Sequence, residues 1–374
     1  MVGPALASAM RNSCAAHHLL LRLLFFFYIV ISLTQTSVHS CSFFRQVPCE
    51  PILPGYSQPL CESVKKSHGL LWYGVLAFGI LILCCTILIG YMYWEARTVE
   101  VTALSVPGAP SGIVFIADPH VRPENIGHTR EVIRVINSLH PSVVLIGGDF
   151  SYHGHENLSL QGVWKEIDAP VYAVLGNHDY LAGIDGGGME GRISWLQELF
   201  LRSNDHDARF LYSDFPDPDH AQAVVTVLEK NGVTVLRNEY VEVETGGKRF
   251  VLVGVDDIWA ERDDPPEIPE TGAYVIYLVH EPAWRSDWDA DLVLSGHTHG
   301  GQYRIPPIWV IEKFQIIQIQ GLSWKGDVPL YVTRGTGTSD HAGEFRYLSS
   351  PEIVVINPEP GTLPDNAVPV VVSR

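Results

Sequence analysis

The chain has 374 residues, more than one ordinary domain requires. Its formal net charge of −17 argues against a nucleic-acid partner, because phosphate backbones need clustered basic side chains. All six cysteines lie at or before Cys85, so the long C-terminal region has neither a disulfide framework nor a thiolate metal site. Any metal bound there must use His, Asp, Asn or Glu side chains.

Two apolar segments dominate the N-terminal region. Residues 19–38 are predicted to form either a first membrane helix or the core of a signal peptide, and we favour the helix. Residues 69–94 contain no charged side chain and exceed the roughly 20 apolar residues that cross a bilayer. Aromatic residues lie at both ends of this second segment, which suits anchoring at membrane interfaces. We therefore predict a membrane span at 69–94 rather than a buried core helix.

Residues 39–68 are predicted to form a loop between these helices. Its three cysteines and its prolines suit an oxidised loop outside the cytoplasm. Lys65 and Lys66 oppose that placement, because basic residues favour the cytoplasmic side. We expect residues 1–98 to anchor the chain in a cell membrane, as a single-pass or multi-pass protein. The rest of the chain is then expected on the cytoplasmic side.

Beyond the anchor, residues 99–111 are interpreted as a linker and residues 112–374 as one domain. The domain begins with three short apolar runs, each predicted to be a buried strand. These runs are residues 112–117, 142–146 and 171–175. Apolar residues at helical spacing predict helices at 127–139 and around 158–167 between the strands.

Polar side chains follow each predicted strand. After the first three come Asp118 with His120, then Asp149, then Asn177 with His178 and Asp179. Two later apolar runs, 274–279 and 291–294, are followed by His280 and by the pair His297 and His299. Strands that alternate with helices predict an α/β fold, in which sites form beyond the carboxyl ends of strands. We therefore expect these side chains to lie close together.

The segment 185–220 interrupts this alternation of strands and helices. It is glycine-rich at its start, rich in Asp and Pro at its end, and predicts an amphipathic helix at 193–201. One interpretation is a surface excursion packed on the domain. The other is a lid that selects substrate, because the segment closely follows Asn177, His178 and Asp179.

The polar residues together favour a metal site. Singly, Asp and Asn often cap helices, and a lone histidine is usually structural. Mixed oxygen and nitrogen ligands without thiolate suit Mn, Fe or Zn. The set is too large for one tetrahedral ion, and Asp149 can bridge two ions because Gly147 and Gly148 precede it. Glycines around His297 and His299 allow the tight turn that directs neighbouring imidazoles to different ions.

These motifs resemble those of the calcineurin-like metallophosphoesterases, in the same order along the chain. They are Asp118-Pro-His120, Gly148-Asp149, Gly176-Asn-His-Asp179, His280 and Gly296-His-Thr-His299. Further stretches are similar to the membrane-associated branch that includes UDP-2,3-diacylglucosamine pyrophosphatase-like enzymes. These stretches are 235–238, 253–257, 280–282, 295–302 and 334–338. The resemblance covers roughly Gly112 to the end and implies an α/β/β/α sandwich, here preceded by transmembrane helices.

The resemblance also implies roles for individual residues. Asp118, His120, Asp149 and His299 would hold one metal ion, and Asp149, Asn177, His280 and His297 would hold the second. His178 would contact the phosphoryl oxygen or leaving group, and Asp179 would orient it. The chain departs from the family's pattern after Asp149, where many relatives have another acidic residue or Asn, and in the length of 185–220.

The expected function is a membrane-anchored phosphoesterase with two divalent metal ions. It would hydrolyse a phosphodiester, pyrophosphate or phosphomonoester bond by attack of a metal-bound hydroxide. The apolar stretches 305–311 and 314–319 are interpreted as core strands, or else as a rim that receives a lipid-linked substrate. The alternative function is a metal-binding membrane receptor or scaffold without turnover, against which the complete set of motif residues argues.

Overall fold

A computed structural model describes residues 59–152, 157–182, 216–270, 272–283, 285, 287–304, 318–339, 344–359 and 361–372. The predicted first apolar helix lies outside these residues. So do most of the segment 185–220 and most of the two apolar stretches that follow His299. The chain divides into two compact units, residues 1–81 and residues 82–374.

The described chain begins with a long helix, α1, at Pro59–Glu95. It starts before the predicted boundary at residue 69, because residues 59–68 are helical rather than part of a loop. The portion Trp72–Glu95 has a mean hydropathy of 2.6 and is long and apolar enough to cross a membrane. Large apolar side chains along it, such as Tyr73, Ile80 and Leu83, are exposed.

The second unit, in its described part, contains thirteen strands and two α-helices after α1. The strands are Glu100–Ser105 (β1), Ile113–Ile116 (β2), Val143–Gly147 (β3), Val171–Val174 (β4), Val233–Val235 (β5), Glu239–Thr245 (β6), Lys248–Gly254 (β7), Tyr274–Leu278 (β8), Leu292–Ser295 (β9), Gly321–Lys325 (β10), Val328–Val332 (β11), Glu352–Ile356 (β12) and Val368–Val371 (β13). The helices are Ile126–Ser138 (α2) and Pro218–Lys230 (α3).

The strands form two sheets in the described part of the chain. The first has the order β13-β1-β12-β2-β3-β4-β5, and the second has the order β10-β11-β9-β8-β7-β6. Strands β2 to β5 run parallel, as do β7, β8, β9 and β11. The mixed α/β architecture expected from the sequence is confirmed.

Alternating side chains along the strands build the core between the two sheets. In β2, Ile113 and Phe115 face this inner core, whereas Val114 and Ile116 face the opposite side. The second sheet repeats the alternation, because Phe250 of β7 contributes to the same inner core. These side chains are at most 1% exposed, so the two sheets pack face to face without intervening water.

The outer faces of the two sheets are covered differently. Helices α2 and α3 and a 3₁₀ helix at Leu158–Glu166 pack on the first sheet. Loop residues Ile258, Ala283 and Trp288 cover the second sheet in the described part of the chain. The described layers are therefore helix, sheet, sheet and loop.

The predicted linker at 99–111 is wrong for its first half. Residues 100–105 form β1, which pairs in parallel with both β12 and β13. The sequence pattern does not predict this strand because Glu100 and Thr102 interrupt its apolar residues. The hydroxyl of Thr102 is buried and donates a 2.5 Å hydrogen bond to the carboxylate of Glu352, which removes the cost of burying it.

Candidate metal centre

The strand-end residues predicted from the sequence come together in the folded chain. Asp118, Asp149 and Asn177 follow strands β2, β3 and β4 of the first sheet. His280 and His297 follow β8 and β9 of the second sheet. Carboxyl ends of parallel strands share one edge of a sheet, so two face-to-face sheets place both sets at the same end of the sheet pair.

A first group of ligand atoms belongs to Asp118, His120, Asp149 and His299. One ligand atom from each lies within 4.8 Å of the others, and all four residues are buried. The Nε2 atoms of His120 and His299 are 3.1 Å apart. His120 Nε2 is also 3.5 Å from Asp149 Oδ2. This group can hold a metal ion.

A second group lies beside the first and shares Asp149 with it. Asp149 Oδ2 is 3.3 Å from His280 Nε2. Asn177 Oδ1 is 3.2 Å from that same nitrogen and 3.1 Å from His297 Nδ1. One carboxylate oxygen of Asp149 therefore lies between histidines of both groups.

Backbone carbonyls fix how the histidines present their nitrogens. His120 Nδ1 donates to Ser151 O at 2.8 Å, and His280 Nδ1 donates to Gly147 O at 2.7 Å. Because a carbonyl only accepts, both Nδ1 atoms carry the proton. In the neutral imidazole each Nε2 lone pair would therefore point into the site, as in metal-ligating histidines held by an outer partner.

The carboxylate of Asp118 tests whether these residues fit a metal ion. Its Oδ1 accepts a 2.8 Å hydrogen bond from the backbone N–H of His297. Its Oδ2 is buried and has no hydrogen-bond partner among the described residues. A buried, unpartnered carboxylate oxygen is costly unless a cation lies beside it. The donor set and this oxygen both fit divalent ions such as Mn, Fe or Zn.

The backbone at these residues is strained. Asp118, His120, Asp149, His297 and His299 all have positive φ, between 41° and 71°. L-residues other than glycine rarely adopt this region, and such strain concentrates at functional sites. The surrounding fold must hold each of these residues in a costly conformation.

Two glycines are required by close approach in the site. A Cβ on Gly148, which has φ of +89°, would lie 2.8 Å from His280 Nδ1. A Cβ on Gly296 would lie 2.6 Å from Asp118 Oδ2. Both contacts are too short for carbon, so a side chain at either position would displace a ligand-type residue.

Asp149 and His280 form a buried charged pair. Burial alone would raise the pKa of Asp149, but the nearby His280 and His178 hold it well below its usual range. Burial alone would lower the pKa of His280, but Asp149 raises it well above the usual value. The Asp149 carboxylate is therefore negatively charged at neutral pH.

Three other ligand-type histidines are neutral near neutral pH, and Asp118 is partly ionised. Burial lowers the pKa of His297 to about 3, with His280 adding to the shift. Burial also holds the pKa values of His120 and His299 well below the usual range. Burial raises the pKa of Asp118 to about 7, although His280 opposes this shift. The three neutral imidazoles keep lone pairs available for a metal.

His178 lies at the edge of the two groups. Its Nδ1 donates a 2.7 Å hydrogen bond to Tyr152 O, and its backbone N–H donates to Asp149 Oδ1 at 2.9 Å. Its ring lies 4.6 Å from that of His120 and stacks on that of Tyr152. The carbonyl of Tyr152 thus fixes the orientation of the imidazole.

Asp179 organises the loops rather than serving only one imidazole. It is fully buried and accepts hydrogen bonds from the backbone N–H groups of Phe150, Ser151 and Gly176. Burial raises its pKa to about 7, and the charge of Asp149 adds to that shift. These contacts tie the loop after β3 to the loop after β4, and the former carries the carbonyl that holds His178.

Sequence reasoning missed residues that support the ligands from distant parts of the chain. Arg346 is fully buried, and its Nη2 lies 3.5 Å from His299 Nδ1. The ring of Trp259 lies 4.4 Å from that of His297. Trp259 lies just beyond the stretch 253–257 and Arg346 lies far from every strand-end motif, so only the folded chain reveals that both are close to the ligands. No local feature of the sequence predicts that the cation of Arg346 is buried beside His299.

Comparison with known proteins identifies the family of this chain. The calcineurin-like phosphoesterase family matches residues 112–301, about half of the chain. The chain therefore belongs to this family of phosphoric ester hydrolases, and the resemblance seen in the motifs is confirmed. The matched residues include every strand-end motif described above.

The chain is also similar to individual members of this family. Phosphodiesterase YaeI of Escherichia coli is 28% identical over 62% of this chain and 76% of its own length. The uncharacterized metallophosphoesterase YkoQ of Bacillus subtilis is 26% identical over 73% of this chain and 97% of its own length. UDP-2,3-diacylglucosamine pyrophosphatase LpxG of Chlamydia muridarum is 26% identical over 65% of this chain and 82% of its own length.

Proposed function

We propose that this chain is a membrane-anchored phosphoesterase that uses two divalent metal ions. The position of Asp149 carries the proposal. Its Oδ2 lies 3.5 Å from His120 Nε2 and 3.3 Å from His280 Nε2, between the two ligand groups. The bond hydrolysed is a phosphodiester or pyrophosphate, with a phosphomonoester as the third option.

Each ion has its own ligands in this proposal. Asp118, His120 and His299 hold one ion, and Asn177, His280 and His297 hold the other, with Asp149 shared. When bound, two divalent ions neutralise the anionic phosphoryl group and lower the pKa of water. The buried setting strengthens these charge interactions, because little solvent screens them.

His178 is the proposed catalytic residue of the chain itself. Its Nδ1 donates to Tyr152 O, so Nε2 is the ring nitrogen that we propose contacts substrate. In the protonated form, Nε2 donates to a phosphoryl oxygen or to the leaving oxygen as charge develops there. Asp179 acts through the backbone that positions Tyr152 and His178.

The proposed substrate is lipid-linked. The apolar portion Trp72–Glu95 supports a membrane anchor by length and composition. The relative named UDP-2,3-diacylglucosamine pyrophosphatase supports a substrate that carries acyl chains next to a phosphate bond. A membrane-anchored active site would meet such a substrate at the bilayer surface.

The test is hydrolysis by the full chain in detergent micelles with added Mn²⁺. An aryl phosphomonoester, an aryl phosphodiester and a nucleotide-diphospho-lipid would be compared. His297→Ala removes a proposed ligand, and His140→Ala is the matched control because His140 is exposed. We expect turnover of a diester or pyrophosphate by the wild type and by His140→Ala, and its loss in His297→Ala. Two bound ions without turnover of any compound would instead favour the receptor or scaffold function.

A further inference from the structure

The segment 344–350, here called the bridging segment, lies between the end of α1 and the metal ligand candidate His299. At its α1 side, the backbone N–H of Arg346 donates to Met92 O at 3.1 Å. The ring of Tyr347 meets the ring of Tyr91 edge-on at 6.1 Å. The last turn of α1 is therefore held against this segment by both backbone and side-chain contacts.

Glu95, the last residue of α1, makes the most specific of these contacts. It is 3% exposed, and its carboxylate accepts hydrogen bonds from Leu348 N at 2.9 Å and Ser349 N at 2.8 Å. A negative charge at a helix C-terminus opposes the helix dipole. The charge of Glu95 therefore opposes the dipole of its own helix, and two hydrogen bonds of its carboxylate hold the bridging segment.

The bridging segment also contacts His299 directly. The hydroxyl of Ser349 donates to the backbone carbonyl of His299 at 2.8 Å. Arg346 Nη1 donates to Ser349 O at 2.9 Å, and Arg346 Nη2 lies 3.5 Å from His299 Nδ1. Ser349 and Arg346 are both fully buried, so water does not compete for these bonds.

His299 is a residue whose position needs such support. Its φ is +50°, and the following Gly300 has φ of +59°. A Cβ on Gly300 would lie 2.5 Å from Ser349 Oγ, so the two chains are in close contact there. A strained residue keeps its conformation only where its surroundings over-determine it. The Ser349 hydroxyl supplies part of that constraint through the carbonyl of His299.

We propose that Glu95 is a positioning residue for His299, acting through Ser349, so that the seating of the end of α1 sets the metal affinity of the first ligand group. Two consecutive links carry the effect, from the carboxylate to Ser349 N–H and from Ser349 Oγ–H to His299 O. The proposal rests on the proposed function for the assignment of His299 as a metal ligand. It adds that the membrane helix and the metal site are mechanically connected.

The experiment is Mn²⁺ titration of the full chain in detergent micelles, followed by electron paramagnetic resonance. The variants are Glu95→Ala, Ser349→Ala, the double variant and Glu95→Gln, with Glu242→Ala as a control at an exposed carboxylate. Loss of an outer partner of a metal ligand costs about 10–100-fold in affinity. We expect that loss for one of two ions in Glu95→Ala and in Ser349→Ala, with no change in Glu242→Ala.

The Mn²⁺ affinity of the double variant distinguishes an effect on the position of His299 from a general loss of stability. Because both side chains act along one path, the double variant should weaken Mn²⁺ binding no more than the stronger single variant. Glu95→Gln keeps one acceptor oxygen and should fall between the wild type and Glu95→Ala. Unchanged Mn²⁺ affinity in Glu95→Ala would overturn the proposal, even with a lower unfolding temperature. Additive losses in the double variant would overturn it as well.

Several readouts keep this test independent of the proposed function. If Glu95→Ala does not fold, Ser349→Ala and Glu95→Gln still decide the outcome. A wild-type chain that binds Mn²⁺ but hydrolyses nothing would contradict the proposed function alone. Loss of Mn²⁺ affinity in Glu95→Ala would then still support the connection between α1 and His299.

Discussion

We propose that His178 acts on substrate without holding a metal. Its backbone N–H donates to the bridging candidate Asp149, whereas its ring is held by the carbonyl of Tyr152. The imidazole is therefore fixed relative to the ligand groups by contacts that do not use Nε2. This arrangement suits a group that stabilises charge on substrate rather than one that recruits an ion.

Replacing His178 by Ala should separate catalysis from metal binding. We expect kcat to fall by about 10²–10⁴-fold, the range for loss of a general acid or base. Mn²⁺ affinity should stay within about threefold of the wild type, because the seven proposed ligands remain. Steady-state kinetics and Mn²⁺ titration of the same preparation measure both quantities. His140→Ala, at an exposed histidine, should alter neither.

A result in which His178→Ala loses one of two ions would place His178 among the ligands instead. A result in which turnover is unchanged would remove it from the chemistry altogether. The two outcomes differ in the readout that moves, so one pair of measurements distinguishes them.

Strand β1 shows what the fold adds beyond the sequence pattern. The chain at 100–105 reads as a linker because Glu100 and Thr102 break its apolar run. Between β12 and β13, however, Val101 and Leu104 are buried at 5% and 0% exposure. A strand that lies between two parallel neighbours belongs to the sheet, whatever its propensity suggests.

Substitution of Val101 by Ala tests whether β1 is structural. Loss of two buried methyl groups and the resulting cavity should lower the free energy of unfolding by roughly 1.5–3 kcal/mol. The matched control is Val371→Ala on β13, where the side chain is 64% exposed and the change should stay within about 0.5 kcal/mol. Urea unfolding followed by tryptophan fluorescence measures both. Equal effects at the two positions would mean that 99–111 behaves as a linker.

The sequence predicts those candidate-site residues that come directly after a strand. Asp118, Asp149 and Asn177 each come just after an apolar run, and the carboxyl ends of parallel strands share one edge. Glu95 and Arg346 could not be found in this way. Their significance comes from chain segments that are far apart in sequence and meet only after folding, and Glu95 reads locally as the first residue beyond an apolar helix.

At the scale of the whole molecule, α1 and the phosphoesterase fold belong to one chain. The apolar side chains along Trp72–Glu95 are exposed, so they need an apolar environment other than the described core. A bilayer supplies that environment and fits the length of the segment. The membrane is therefore part of the proposed setting for catalysis.

Two arginines in the middle of α1 should abolish membrane insertion. The test uses a chain that begins at residue 59, so that the apolar segment 19–38 is absent. Each arginine at a helix centre costs about 2.5–3.5 kcal/mol of insertion free energy. Leu83→Arg with Ile87→Arg should move the chain from the carbonate-resistant membrane fraction to the soluble or aggregated fraction. Leu83→Ala with Ile87→Ala should stay in the membrane, and release of the unsubstituted chain by carbonate would contradict the anchor.

A shared dinuclear site is tested most directly by electron paramagnetic resonance of the full chain saturated with Mn²⁺. Two ions that share the Asp149 carboxylate lie about 3.5–4 Å apart in sites of this kind, which is close enough for spin coupling. We predict two Mn²⁺ per chain with a coupled spectrum in the wild type, and one uncoupled Mn²⁺ per chain in His297→Ala. A single Mn²⁺ in the wild type, or two Mn²⁺ without coupling, would contradict a shared dinuclear site.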